Sequence, residues 1–138
     1  MAQEVAEGGC LCGAVRFRIV LPAKWCAHCH CSMCRRAHGA AFVTWVGSEI
    51  ASFRLLSGEK ELRRYQSSAL ATRSFCRRCG TMLFFESGRW PGEIHVTVAH
   101  LYSPESLVPQ AHAYWSSRVP WADFSSHELP KVEPTGHA

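Results

Sequence analysis

Hydrophobic and polar residues alternate along this chain in short runs, without the long stripes of amphipathic helices. The run Val15-Arg16-Phe17-Arg18-Ile19 has the period of two that marks a half-buried strand. Further short segments of strand character lie at 41–46, 53–56, 61–65, 72–75, 81–86, 93–99 and 110–115. Turn-forming residues separate them, among them Gly47-Ser48, Ser57-Gly58, Gly88, Pro91-Gly92 and Ser103-Pro104. Segments 31–38 and 104–107 each read as a helical turn. Many short strands with frequent turns predict an all-β fold: a sandwich, a barrel or folded sheets.

Composition narrows the class. With 138 residues, 47% hydrophobic and 19% charged, the chain is expected to form one domain, 1–138, and disorder is excluded. The folded core is expected over about 8–130, with 131–138 a loose tail. No apolar stretch approaches the ~18 residues that span a bilayer. The first nine residues, MAQEVAEGG, lack the basic and apolar regions of a secretory signal, so a cytoplasmic location is expected.

Eight cysteines then dominate the reading. In a reducing compartment, clustered cysteines point to metal ligands or catalytic thiols in preference to a disulfide set. Cys76-Arg77-Arg78-Cys79-Gly80 has the spacing of a zinc knuckle, with glycine at the sharp bend. Gly9-Cys10-Leu11-Cys12-Gly13 offers a second pair, and Cys10, Cys12, Cys76 and Cys79 together would close a tetrahedral structural site. The middle run from Cys26 to Cys34 is open to several readings. Cys29, Cys31 and Cys34 can surround one ion and leave a fourth position free, as in catalytic zinc sites. Alternatively Cys26 closes a second four-cysteine cluster, or Cys26 and Cys29 join Cys76 and Cys79 as a zinc ribbon.

The formal charge of +4, from 12 Arg and 3 Lys against 11 acids, falls to about +1 if seven thiolates hold two zinc ions. No basic run exceeds two residues, so nucleic acid is not indicated as a partner.

The set Gly9-Cys10-x-Cys12-Gly13, Cys29-His30-Cys31-Ser32-x-Cys34-Arg35-Arg36 and Phe75-Cys76-x-x-Cys79-Gly80-Thr81 resembles the glutathione-dependent formaldehyde-activating enzyme family, which also includes centromere protein V. The resemblance runs from about residue 8 to 130, through His112, Trp121 and Leu129-Pro130. It implies a β-tent-like arrangement of folded sheets related to zinc ribbons. It also implies two Zn²⁺ per chain: a structural one on Cys10, Cys12, Cys76 and Cys79 and a catalytic one on Cys29, Cys31 and Cys34. Cys26 is extra to the family pattern.

The implied activity is that of a carbon–sulfur lyase joining glutathione, or a similar thiol, to formaldehyde or another small aldehyde. Three thiolates leave a zinc site net negative, which favours holding the substrate thiol over polarising the carbonyl. Arg35 and Arg36 are candidates for the carboxylates of a glutathione-like ligand. His30 is a candidate for a sulfur contact or a proton relay. His28 is an alternative ligand, and His38 and Gly39 are candidates for the wall of a cleft. His112, Trp115, Trp121, Trp45 and Trp90 read as core or cleft lining. His95 and His100 lie an odd number apart, so a regular strand places them on opposite faces. Glu86, Glu93 and Asp123 show no spacing that pairs carboxylates for acid–base work.

Two rival classes share these features. One is a non-catalytic two-zinc scaffold that binds protein or nucleic acid. The other is a thiol oxidoreductase built on Cys26-Ala27-His28-Cys29, for which the chain lacks the α/β alternation.

Overall fold

A computed structural model describes residues 3–123 and 129–131. Its strands are β1 (Val5–Gly9), β2 (Arg16–Val20), β3 (Trp25–Cys29), β4 (Val43–Glu49), β5 (Phe53–Ser57), β6 (Leu62–Gln66), β7 (Ala71–Cys76), β8 (Met82–Ser87), β9 (Glu93–Thr97) and β10 (Ala111–Ala113). One α-helix, α1 (Ser32–His38), is present among the described residues. The fold is all-β, as the short alternating runs predict.

The strands form two sheets. A small one has the order β1-β2-β5, and a large one has the order β10-β3-β4-β9-β8-β7-β6. Neighbours are antiparallel except β10, which runs parallel to β3. Because successive side chains on a strand point to opposite faces, the register sorts the large sheet into two surfaces. Cys26 faces the same way as its partner Val46, which stands opposite Val96, itself opposite Phe84. These residues, with Phe17, Ile19 and Leu83, form the main core against the small sheet. Phe84 meets Phe17 and Phe53 edge-on at 5.1 and 5.0 Å between ring centres. The other surface carries Ala27 and Cys29 on β3, Trp45 on β4, His95 on β9, Phe85 on β8 and Arg73 on β7. Helix α1 begins directly after β3 on that side and contributes Cys34.

Two strands escape the alternation rule. β1 ends in the glycines Gly8 and Gly9, which carry no side chain to alternate, and in β3 the cysteine-rich stretch reads as a ligand cluster. The folded part also starts before residue 8, at β1. The segment 104–107 is a tight turn closed by the Leu107 N–H on the Pro104 carbonyl at 3.0 Å, not a helical turn. The strand expected over 93–99 ends at Thr97, and Val98–His100 is a 3-10 turn. Of the expected tail, only Lys131 lies within the described residues.

Candidate active site

Cys10 and Cys12 follow β1 of the small sheet, and Cys76 and Cys79 close β7 of the large one. The four sulfurs lie within 4.8 Å of one another. Cys10 and Cys12 are 3.6 Å apart and Cys12 and Cys76 3.8 Å apart. Four sulfurs held at about 2.3 Å from a zinc ion stand about 3.8 Å from each other, so the donor set fits that metal. Gly13 and Gly80 adopt φ of 81° and 78°, the left-handed bend that folds each pair around a centre. The Val15 N–H donates to Cys10 Sγ at 3.3 Å, and Thr81 Oγ1 lies 3.1 Å from Cys79 Sγ.

The cluster behaves as a proton-sharing set. A hydrogen bond from the Ala14 backbone favours the Cys12 thiolate, but burial and the neighbouring Cys10, Cys79 and Cys76 outweigh it and push the thiol to about 11. Burial disfavours the Cys79 thiolate, yet Thr81 and Cys12 hold it at about 5. A divalent cation that accepts every sulfur removes this competition.

A second cluster joins Cys29, at the end of β3, to Cys31 and Cys34 around the start of α1. Their sulfurs also lie within 4.8 Å of one another, with Cys29 and Cys34 3.5 Å apart. Cys31 caps the helix: its sulfur accepts from the Cys34 N–H at 3.3 Å. The Cys29 thiol donates to Cys34, which is thereby drawn down to about 5, with Cys31 and Arg73 assisting against burial. Cys29 itself is pushed up, first by that bond and then by burial. The geometry again suits a zinc-like ion, here with three protein donors.

Cys26 does not complete this set. It stands three residues before Cys29 on the same strand, so its sulfur belongs to the core surface while Cys29 belongs to the other. The same alternation argues against a Cys26–Cys29 redox pair, and all eight cysteines are free. The zinc-ribbon pairing fails as well, because Cys76 and Cys79 group with Cys10 and Cys12.

Beside the three-cysteine cluster lies a cavity of about 740 Å³, walled by Trp25, Trp45, Phe85 and Trp90 and lined by all three cysteines. Its buried cation is Arg73, 4% exposed, whose Nη2 donates to Cys34 Sγ at 3.7 Å while the guanidinium lies 4.9 Å above the Phe85 ring. Arg73 Nε and Nη1 are buried without a hydrogen-bond partner. His95 also lines the cavity, and its Nε2–H donates to Glu93 Oε1 at 2.9 Å. Glu93 is fixed in turn by Lys24 at 2.8 Å and by the Trp25 indole N–H at 3.3 Å. Burial lowers His95 below the usual histidine value despite Glu93, so the ring is neutral at pH 7.

The residues singled out beside the cysteine motif lie elsewhere. His30 is fully buried, its Nε2 2.9 Å from His112 Nδ1 and its ring against Phe42 and Trp115. Arg35 Nε donates to the His30 carbonyl at 3.4 Å and Arg36 is exposed; neither lines the cavity. His28 bonds Thr44 and stacks near His112, on the core surface with Cys26. His38 packs edge-on against Trp45 from outside the cavity, and Gly39 caps α1. Trp45 and Trp90 line the cavity, while Trp121 is 54% exposed. His100 sits in the turn after β9, bonded to the Thr97 hydroxyl. Arg77 pairs with Glu61 at 2.7 Å.

Arg73 and the His95–Glu93 pair escape a reading by sequence alone. Arg73 sits in an alternating strand, where an arginine reads as solvent-facing, and its partner Cys34 is 39 residues away. The His95–Glu93 pair did carry a signal: positions i and i+2 of one strand share a face.

Comparison with known proteins agrees with this geometry. A family model described as glutathione-dependent formaldehyde-activating enzyme matches residues 5–117. A Halomonas elongata protein provisionally named for that activity is 30% identical over 129 residues, covering 88% of this chain and 82% of its own length. An uncharacterized lyase of Schizosaccharomyces pombe is 33% identical over 79 residues, covering 57% of this chain and 56% of its own length. The crystal structure of a Rhodobacter sphaeroides protein superposes with a TM-score of 0.64 at 29% identity, over 78% of this chain and 99% of that one. The chain, with two cysteine clusters that could hold metal ions, belongs to the glutathione-dependent formaldehyde-activating enzyme family.

Proposed function

We propose that this protein is a zinc-dependent carbon–sulfur lyase, working in the reducing cytoplasm, that joins a thiol such as glutathione to a small aldehyde and reverses that reaction. The observation that carries this reading is the three-cysteine cluster opening onto a cavity while the Cys26 side chain packs into the main core and belongs to neither sulfur group. Cys10, Cys12, Cys76 and Cys79 would hold a structural zinc, and Cys29, Cys31 and Cys34 a catalytic one. The chemistry zinc supplies at such a three-thiolate position is to favour the deprotonated form of a substrate thiol.

The chain's own groups do the rest. Arg73 offsets the negative charge of the thiolates through Cys34. His95, whose Nε2–H is committed to Glu93, keeps Nδ1 as its acceptor and can carry the thiol proton to the carbonyl oxygen. Arg35 and Arg36 would meet the charged ends of the thiol outside the cavity, whereas His30, fully buried against His112, does not reach the cavity as a sulfur contact or proton relay.

The test is the rate of S-hydroxymethylglutathione formation from glutathione and formaldehyde, above the uncatalysed rate, in zinc-loaded protein. His95→Phe is expected to lower kcat by about a hundredfold with the zinc content unchanged. Background rates in the wild type with formaldehyde and with a larger aldehyde alike would contradict the reading.

A further inference from the structure

Formaldehyde, a single carbon and oxygen, fills very little of the space beside the cysteines. The cavity of about 740 Å³ falls in the range of roughly 300–1,000 Å³ that encloses drug-sized ligands. Three indoles and a phenyl ring form its wall, with Trp45 and Phe85 6.0 Å apart and Phe85 and Trp90 6.2 Å apart between ring centres. Met33 and Leu70, which also line the cavity, are 44% and 61% exposed, so apolar surface continues outward from the aromatic wall.

The cavity surface is mainly apolar; the polar side chains on it include Arg73, His95, Gln110 and the exposed Arg89. Among the described residues no aspartate or glutamate lines the cavity, so an ammonium group entering it finds no carboxylate among them. Arg73 is the buried cation; it touches Cys34, and its Nε and Nη1 lack an acceptor. A zwitterionic tripeptide suits this interior poorly, whereas an aromatic ring carrying one carbonyl oxygen suits it well.

We propose that the aldehyde used by this protein is aromatic, a single-ring aryl aldehyde whose ring lies among Trp25, Trp45, Phe85 and Trp90 and whose carbonyl lies at the three-cysteine end of the cavity. The proposal rests on the thiol–aldehyde reading above. In the reaction the thiol sulfur bonds to the aldehyde carbon, the carbonyl π bond opens, and the thiol proton ends on that oxygen. Atoms and electrons balance with no further reactant. The thiol reaches the cysteines with its charged ends left at the cavity mouth.

The test uses the zinc-loaded protein with two probes. Benzyl alcohol, which has the ring but cannot react, is titrated against tryptophan fluorescence. Benzaldehyde and formaldehyde are then compared as partners of glutathione by initial rates above the uncatalysed reaction. The proposal expects saturable quenching by benzyl alcohol and a kcat/KM for benzaldehyde about tenfold or more above that for formaldehyde. Trp90→Ala, at the half-buried end of the wall, is expected to lower that ratio by about tenfold.

Turnover of formaldehyde with a ratio at or below one overturns the aryl aldehyde and leaves the family reaction standing. Turnover of neither aldehyde, with benzyl alcohol still bound, overturns the thiol–aldehyde reading and the aldehyde substrate with it, leaving an aromatic ligand. No turnover and no quenching overturns both.

Discussion

Cys10, Cys12, Cys76 and Cys79 meet where the two sheets come together, whereas Cys29, Cys31 and Cys34 come from one strand end and the helix that follows it. The sulfurs are equally close in both places; the chain between them is not. Cys12 and Cys76 are 64 residues apart, so an ion at the first cluster closes a long loop and ties β1 to β7. The second cluster closes only a short stretch, and an ion there does little for the fold. The first is surrounded by its own donors and by Thr81. The second has three donors and borders an aromatic cavity. In the proposed reading one ligand chemistry serves two ends: the sequence-distant ligands would stabilise, and the local ligands beside a cavity would react.

The sharpest way to break the contrast is to remove one ligand from each cluster. Cys76→Ser is expected to lower Tm by about 10 °C or more and to release one metal, because the loop it closes is long. Thermal unfolding with metal analysis reads both. Cys31→Ser is expected to leave Tm within about 3 °C and to reduce turnover by about a hundredfold or more. Should Cys31→Ser destabilise as much as Cys76→Ser, the second cluster is structural too.

A smaller effect is expected at Arg73. Arg73→Met keeps the packing on Phe85 and removes the cation on Cys34. It should lower kcat by about tenfold, with Tm and the metal at the four-cysteine cluster unchanged. An unaltered kcat would mean that the thiolates do not need the guanidinium.

The smallest effect concerns acid stability near the second cluster. Burial, with Arg73 and His100 adding, holds His38 at about 4, against about 6.5 in an unfolded chain. Between those values the unfolded chain binds a proton that the folded one does not. The stability this contributes is complete above about 6.5 and is lost as pH falls through about 4. His38 Nε2 is buried without a partner, so His38→Phe should be tolerated and should shift the acid-unfolding midpoint to lower pH at equal zinc content. A midpoint unchanged by the substitution would show that His38 takes no part in acid unfolding.

Much of this architecture was legible in the residues, for reasons that differ by region. The alternation in 15–19 and the turn glycines mark strands because one face is buried and the other wet. The spaced cysteine pairs mark ligands because sulfur clusters have few other uses in a reducing setting. The strand β1 was hidden because its Gly8 is required by packing: a Cβ there would meet the His100 carbonyl oxygen at 2.4 Å. Its signal lies in a neighbour 92 residues later, not in its own pattern. Arg73 was hidden for the same reason. The side to which Cys26 points became decidable only once β3 was known to be a strand, since a helix or loop with the same spacing could have aimed it at Cys29.

The central claim is that the second cluster keeps a position for a thiol while the first does not. Native mass spectrometry of the zinc-loaded protein, with and without glutathione, tests it most directly. The account predicts two zinc ions, a glutathione adduct that is lost in Cys31→Ser and kept in Cys26→Ser, and loss of the second zinc before the first under a chelator. Two zinc ions with no adduct, and loss of one zinc in Cys26→Ser, would contradict it.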